Sequence, residues 1–211
     1  MQQLLSNIPA QLSEVLGSLP YFMPEIYLTG LFILVLVTDL LFGKNSAWLC
    51  RTIAAAGMVF IILMDVNQPF LLLKGAGYRY LFGNMLLLHP TAITFKLIVD
   101  VLAFILLLYF TWDHRLKAHK KGLSDLYTIV VGSVLGLHLM IMTVNLLSVY
   151  LAIEMVSIAS FLLVAYKSEN AFSTEAGLKY VLFGAASSAV MLYGISMIYA
   201  FTGSLIFLPV D

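Results

Sequence analysis

The sequence predicts an all-α, polytopic membrane protein with about six membrane-spanning helices. Of its 211 residues, 62% are hydrophobic and only 10% charged, whereas a soluble domain carries about 25% charged residues. The mean hydropathy of +1.00 points the same way. The apolar residues also gather into stretches near the roughly 20 residues a bilayer span needs.

Each element follows in order. Residues 1–23 contain no Lys or Arg, and Glu14 interrupts their apolar positions. Ile8, Leu12 and Val15 can share one helical face, so this is an interfacial, extracytoplasmic lead-in rather than a cleaved signal. The first span runs from about Pro24 to Phe42, with Pro24 suited to a first helical turn. The second runs from about Arg51 to Met64, and its short apolar stretch makes it the least defined. Residues 67–90 hold Gly75, Gly77, Gly83, Tyr78 and Tyr80 and read as an ordered loop or small hairpin outside the hydrocarbon. The remaining spans are Ala92–Trp112, Asp125–Val144, Leu146–Tyr166 and Glu175–Phe201. Little more than Asn145 separates the fourth from the fifth, which predicts a tight helical hairpin. Two helical blocks result, 24–112 and 125–211.

The basic residues set the orientation. Lys44, Arg51, Arg115, Lys117, Lys120, Lys121 and Lys167 fall on one side, against Lys74, Arg79 and the nearby Lys96 on the other. Cytoplasmic loops are enriched in Lys and Arg, so the N-terminus is expected outside. The stretch around Arg115–Lys121, with His114 and His119, reads as a solvated loop near anionic headgroups.

Other classes are excluded. The 11 basic and 11 acidic residues cancel, leaving no basic face for nucleic acid. Cys50 alone allows neither an internal disulfide nor a cysteine-based zinc site. There is no Gly-rich dinucleotide loop.

Chemistry is expected from ionisable residues at hydrocarbon depth, where a charge costs about 2.5–3.5 kcal/mol on insertion scales. Glu154 is the sharpest case, in Leu-Ala-Ile-Glu-Met-Val-Ser (151–157), with no basic residue three or four positions away. Burial favours its neutral form and a nearby cation its ionised form, so it can change protonation during a cycle. A permanently protonated structural carboxyl is the alternative. Lys179 lies about one turn into the sixth span with Glu175 four residues before it, the favourable order for an ion pair. Ser173 or Thr174 would cap that helix. Lys179 can stand on a proton path or snorkel to the surface. His138 lies about 3 Å in depth from Glu154 by the helical rise, and can exchange protons with it if the two faces meet; otherwise it is a neutral core imidazole. Lys96 and Asp100, spaced i,i+4, are expected to neutralise one another. Glu25, Asp39 and Asp65 are placed near span ends as interfacial. The small residues at 184–189 and Ser157, Ala159 and Ser160 mark close helix packing.

Three segments carry a family resemblance. They are Met-Pro-Glu-Ile-Tyr-Leu-Thr-Gly (23–30) with Thr-Asp-Leu-Leu-Phe (38–42); Asn-Leu-Leu-Ser-Val-Tyr-Leu-Ala-Ile-Glu-Met-Val-Ser-Ile-Ala-Ser-Phe (145–161); and Ser-Thr-Glu-Ala-Gly-Leu-Lys-Tyr-Val-Leu-Phe-Gly-Ala-Ala-Ser-Ser-Ala (173–189). The last two, at this spacing, are specific. The chain resembles the first part of the antiporter-like subunit N family (subunit 2 in mitochondria) of proton-pumping NADH:quinone oxidoreductase, the respiratory complex I.

The resemblance implies an inverted-repeat subunit of about fourteen helices. This chain would hold three lead-in helices and the first three of the proton-translocating repeat, as a fragment or completed by a second chain. It implies proton transfer through Glu154 and Lys179, with His138 standing where the family has an apolar residue. It implies no cofactor in this chain, with NADH, FMN, iron–sulfur clusters and quinone in partner subunits. Partners would be other membrane subunits, including neighbouring antiporter-like ones, in a bacterial inner membrane. A subunit of a multisubunit cation/proton antiporter or membrane-bound hydrogenase is the near alternative, and a structural scaffold the distant one.

Overall fold

The computed structural model describes residues 12–42, 47–72, 77–110, 112, 123–167 and 170–207. Ile8, Lys44, Lys74, Gly75, His114, Arg115, Lys117, His119, Lys120 and Lys121 lie outside the described residues. Among the described residues, six helices are long and apolar enough to cross a membrane. They are α1 (Met23–Phe42), α2 (Ala47–Leu72), α3 (Pro90–Tyr109), α4 (Ser124–Met142), α5 (Leu146–Val164) and α6 (Ala171–Thr202). A short helical lead-in occupies 12–21.

Helices α1 to α4 form a four-helix bundle. Its centre is α4, which touches α1, α2 and α3 and then packs along α5. Helix α6 extends the assembly by packing chiefly on α5, and Gly177 is its buried position among the described residues. The buried residues of the bundle recur at three- and four-residue steps, as an amphipathic helix requires: Cys50, Ala54, Met58, Ile61, Asp65, Gln68 and Leu72 on α2, and Ala92, Ile93, Lys96, Asp100, Ala103 and Leu107 on α3. Polar side chains therefore occupy the same stripes as the core.

Helix α2 exceeds its sequence expectation by two turns beyond Met64 and contains Pro69. Proline cannot donate to the carbonyl four residues back, which is that of Asp65, so the helix carries a local break there. Helix α6 also starts earlier than expected. Asn170, rather than Ser173 or Thr174, is its N-cap, with Oδ1 accepting from the Phe172 N–H at 3.0 Å. Lys179 consequently lies two turns inside α6 instead of one.

The helix ends on one side share a small cap. Strands β1 (Arg79–Leu81) and β2 (Leu86–Leu88) form an antiparallel hairpin, whose turn takes positive φ at Phe82, Gly83 and Asn84. The α4–α5 turn is bonded on both flanks. The Val144 N–H donates to the Met85 carbonyl at 3.1 Å, and the Phe207 N–H donates to the Val144 carbonyl at 3.2 Å. Asn145 Oδ1 caps α5 by accepting from the Leu147 N–H at 2.9 Å.

Close approach governs the α4–α5 seam. A Cβ at Gly136 would stand 2.9 Å from Val156 Cγ2, 3.1 Å from Met155 Cβ and 3.3 Å from the Val156 backbone nitrogen. Backbone cannot rotate aside, so a larger side chain must push the helices apart. Gly136→Val is expected to destabilise the bundle by about 1–3 kcal/mol, read as a lowered unfolding midpoint in detergent.

A buried charged centre and a carboxyl between two helices

Two apolar clusters divide the bundle. One, beneath the hairpin, contains Leu72, Leu81, Leu88, Ile93 and Met142. The other fills the far half with Leu28, Val35, Met58, Leu107, Tyr127 and Val131. Between them lies a charged centre with contributions from all four bundle helices.

Lys96 is its hub. Its Nζ lies 2.6 Å from Glu25 Oε1 on α1 and donates to Gln68 Oε1 on α2 at 2.9 Å. It also approaches Asp65 Oδ1 on α2 at 3.0 Å, an ion-pair contact whose angle falls short of a hydrogen bond. His138 on α4 bridges two more acids, with Nε2 at 3.0 Å from Asp100 Oδ1 and Nδ1 at 3.4 Å from Glu25 Oε1. Gln68 Nε2 in turn donates to the Tyr21 carbonyl at 3.1 Å. The side chains of Glu25, Asp65, Lys96, Asp100 and His138 are all 0% exposed. They stand two to ten residues inside the helix ends on the hairpin side, roughly 3–15 Å at the helical rise.

Three expectations from sequence are corrected by this geometry. Glu25 and Asp65 are not interfacial, because neighbouring helices and the hairpin cover them. Lys96 and Asp100 do not pair along α3, because both point inward and find closer partners on other helices. His138 does not meet Glu154, because its imidazole faces α1 and α3 rather than α5. Asp39, near the end of α1, stays partly exposed.

Glu154 lies elsewhere, partly buried on the α5 face that meets α6. It accepts a short hydrogen bond from Ser188 Oγ on α6. That hydroxyl also lies 3.1 Å from Tyr150 OH, one turn before Glu154 on α5. Carboxyl, serine and tyrosine thus form a chain of exchangeable groups along the seam. Small residues make the approach possible: a Cβ at Gly177 would stand 2.6 Å from Ala165 Cβ and 3.1 Å from its Cα. Lys179 is not part of the chain. Its Nζ donates to Glu175 Oε1 at 2.5 Å, with both side chains well exposed at 65% and 60%. It is nine residues from Ser188, roughly 14 Å along α6. On the same side as Lys179, burial and the Asp125 and Asp39 carboxylates push the Tyr166 phenol up to about 12, so it remains a neutral group there.

Comparison with known proteins places this architecture. Residues 143–210 match the family described as NADH:quinone oxidoreductase/Mrp antiporter, TM. The chain is 34% identical over 202 residues to NADH-quinone oxidoreductase subunit N 2 of Chloroherpeton thalassium, covering 92% of this chain and 38% of that protein. Its fold resembles a chain of respiratory complex I from Thermus thermophilus, with a TM-score of 0.67 at 20% identity over 89% of this chain and 39% of the other. A chain of the archaeal membrane-bound sulfane sulfur reductase is similar in fold, with a TM-score of 0.66 at 19% identity, covering 90% and 38% of the two chains. The chain spans about two fifths of the length of these relatives. The six apolar helices and these similarities establish an integral membrane protein, one that is similar over 92% of its own length to a subunit N of NADH-quinone oxidoreductase.

Proposed function

We propose that this chain forms part of a proton-translocating membrane subunit of an NADH:quinone oxidoreductase, and that Glu154 takes up and releases the transported proton. The observation that carries this reading is the Glu154–Ser188–Tyr150 chain, in which a carboxyl within the membrane span accepts from the Ser188 hydroxyl and that hydroxyl in turn meets Tyr150 OH, giving two hydroxyls able to pass a proton. Lys179 stands on the same path nearer the opposite surface. Because Lys179 and the Ser188 position are about two and a half turns apart, water would have to bridge the groups. Redox cofactors (FMN, iron–sulfur clusters and quinone) and NADH belong to partner subunits, whose redox work changes the charge state of Glu154 and Lys179. The side carrying Arg51 and Lys167 faces the cytoplasm, and the hairpin faces outward.

The test is proton pumping by sealed membrane vesicles carrying Glu154→Gln, where full pumping would defeat the assignment. The family description also names an Mrp antiporter, so a cation/proton antiporter subunit is the second reading. Copurification with flavin and iron–sulfur subunits that oxidise NADH separates the two.

A further inference from the structure

We propose that the centre beneath the hairpin is a second protonic site, in which Asp65 holds a proton that neither Lys96 nor His138 supplies. The inference does not rest on the role given to Glu154.

Charge balance requires such a proton. Three carboxylates, Glu25, Asp65 and Asp100, face one lysine and one histidine, all fully buried. With Lys96 and His138 both protonated the sum is −1, and with neutral imidazole it is −2. An uncompensated charge held away from bulk solvent is not sustained in such surroundings; the group binds a proton instead. Apolar clusters on both sides deny the centre bulk water.

Hydrogen bonding identifies the carboxyl. Glu25 and Asp100 each have one oxygen engaged by a basic side chain, and each leaves the other without a partner. Among the described residues, Asp65 is the acid to which no protein group donates a hydrogen bond at either oxygen. Lys96 already directs N–H groups to Glu25 and Gln68 and meets Asp65 at a poor angle. A neutral Asp65 needs no strong donor, and its O–H gives the centre a donor where acceptors exceed donors. Ligand atoms of Asp65, Asp100 and His138 lie within 4.8 Å of one another, so a small side-chain rotation or one water passes the proton to Asp100 or the imidazole. That spacing also suits a metal ion, but the Lys96 ammonium 3.0 Å from Asp65 Oδ1 would repel one. The groups facing Asp65 are Glu25 on α1, Gln68 on α2, Lys96 and Asp100 on α3, and His138 on α4. Gln68 also links the centre to the Tyr21 carbonyl. The exposed Arg79 guanidinium lies 4.7 Å from the centre of the Tyr21 ring, so the thinnest barrier to water is the hairpin side.

Infrared difference spectroscopy of the assembled complex in lipid at neutral pH tests the assignment. A protonated carboxyl has a carbonyl band that a carboxylate lacks, and the band moves in heavy water. The expected result is one such band lost in Asp65→Asn and retained in Glu154→Gln. If Asp65→Asn fails to accumulate, Asp65→Glu keeps the acid and must displace the band. A band unchanged in Asp65→Asn, or unchanged in Asp65→Glu, overturns the proposal. A spectrum that responds instead to added sodium chloride at fixed pH, with the response lost in Asp65→Asn, also overturns it, in favour of an alkali cation.

Discussion

Replacing Lys96 by Met is expected to destabilise the bundle by about 3–5 kcal/mol, the cost of removing one member of a buried ion pair. Met matches the length of the lysine stem, so the side-chain volume is largely kept and the effect isolates the charge. Glu25 would lose its 2.6 Å partner, and Gln68 its 2.9 Å donor. The surviving acids then face His138 alone. Thermal unfolding in detergent measures the loss, and reduced accumulation in membranes would accompany it. Removing acid and base together tests whether charge is the cause. The double variant Glu25→Gln, Lys96→Met removes one negative and one positive charge, and should recover much of the stability lost in Lys96→Met. A double variant no more stable than the single would mean that Lys96 acts through packing.

Local sequence position points away from this centre. Glu25 occupies the first turn of α1, where a carboxylate normally faces water and the helix dipole favours it. Asp65 falls one residue past Met64, where the apolar stretch of the second span ends. Both positions invite an interfacial reading, and both are buried because the lead-in, the hairpin and α4 cover the ends of α1 and α2. The pattern of α2 held the missing signal. Ala54, Met58, Ile61, Asp65, Gln68 and Leu72 continue one stripe at three- and four-residue steps through Pro69. A polar residue in phase with a core stripe is an interior residue with partners on other helices. The same logic applies to Lys96 and Asp100, whose i,i+4 spacing suggested a private pair although both fall on the buried face of α3. Local spacing shows which groups are adjacent, whereas three-dimensional packing decides which are closest.

The span count, the α4–α5 hairpin and the isolation of Glu154 from basic neighbours on its own helix were legible, because each depends on local composition. The Ser188 partner was not, since small residues on α6 signal close packing without giving rotational register. Sequence spacing places Lys179 only about one turn into the sixth span. It did not anticipate that α6 begins at Ala171, which the Asn170 cap decides.

Glu154→Gln is expected to lower outward proton pumping at least tenfold while leaving the α5–α6 seam in place. Glutamine has nearly the same shape, and its amide oxygen can still accept from Ser188 Oγ, so packing is held constant as titration is removed. A tenfold loss corresponds to about 1.4 kcal/mol in a barrier, well below what losing an obligatory proton carrier should cause. Ser188→Ala provides the complementary control. It retains the carboxyl and deletes its donor, a hydrogen bond to a carboxylate contributing about 1.5–3 kcal/mol, and leaves Tyr150 one turn away on the same helix, where water can bridge. Pumping in Ser188→Ala should therefore fall less than in Glu154→Gln. The opposite order would mean that the hydroxyl chain, rather than a titrating carboxyl, limits transfer. Equal and normal pumping in both variants would return Glu154 to a structural role, with the seam held by Gly177, Gly184 and their facing residues alone. Unfolding midpoints of the two variants must be measured alongside, because a carboxyl that matters only to packing would lower stability and pumping in parallel.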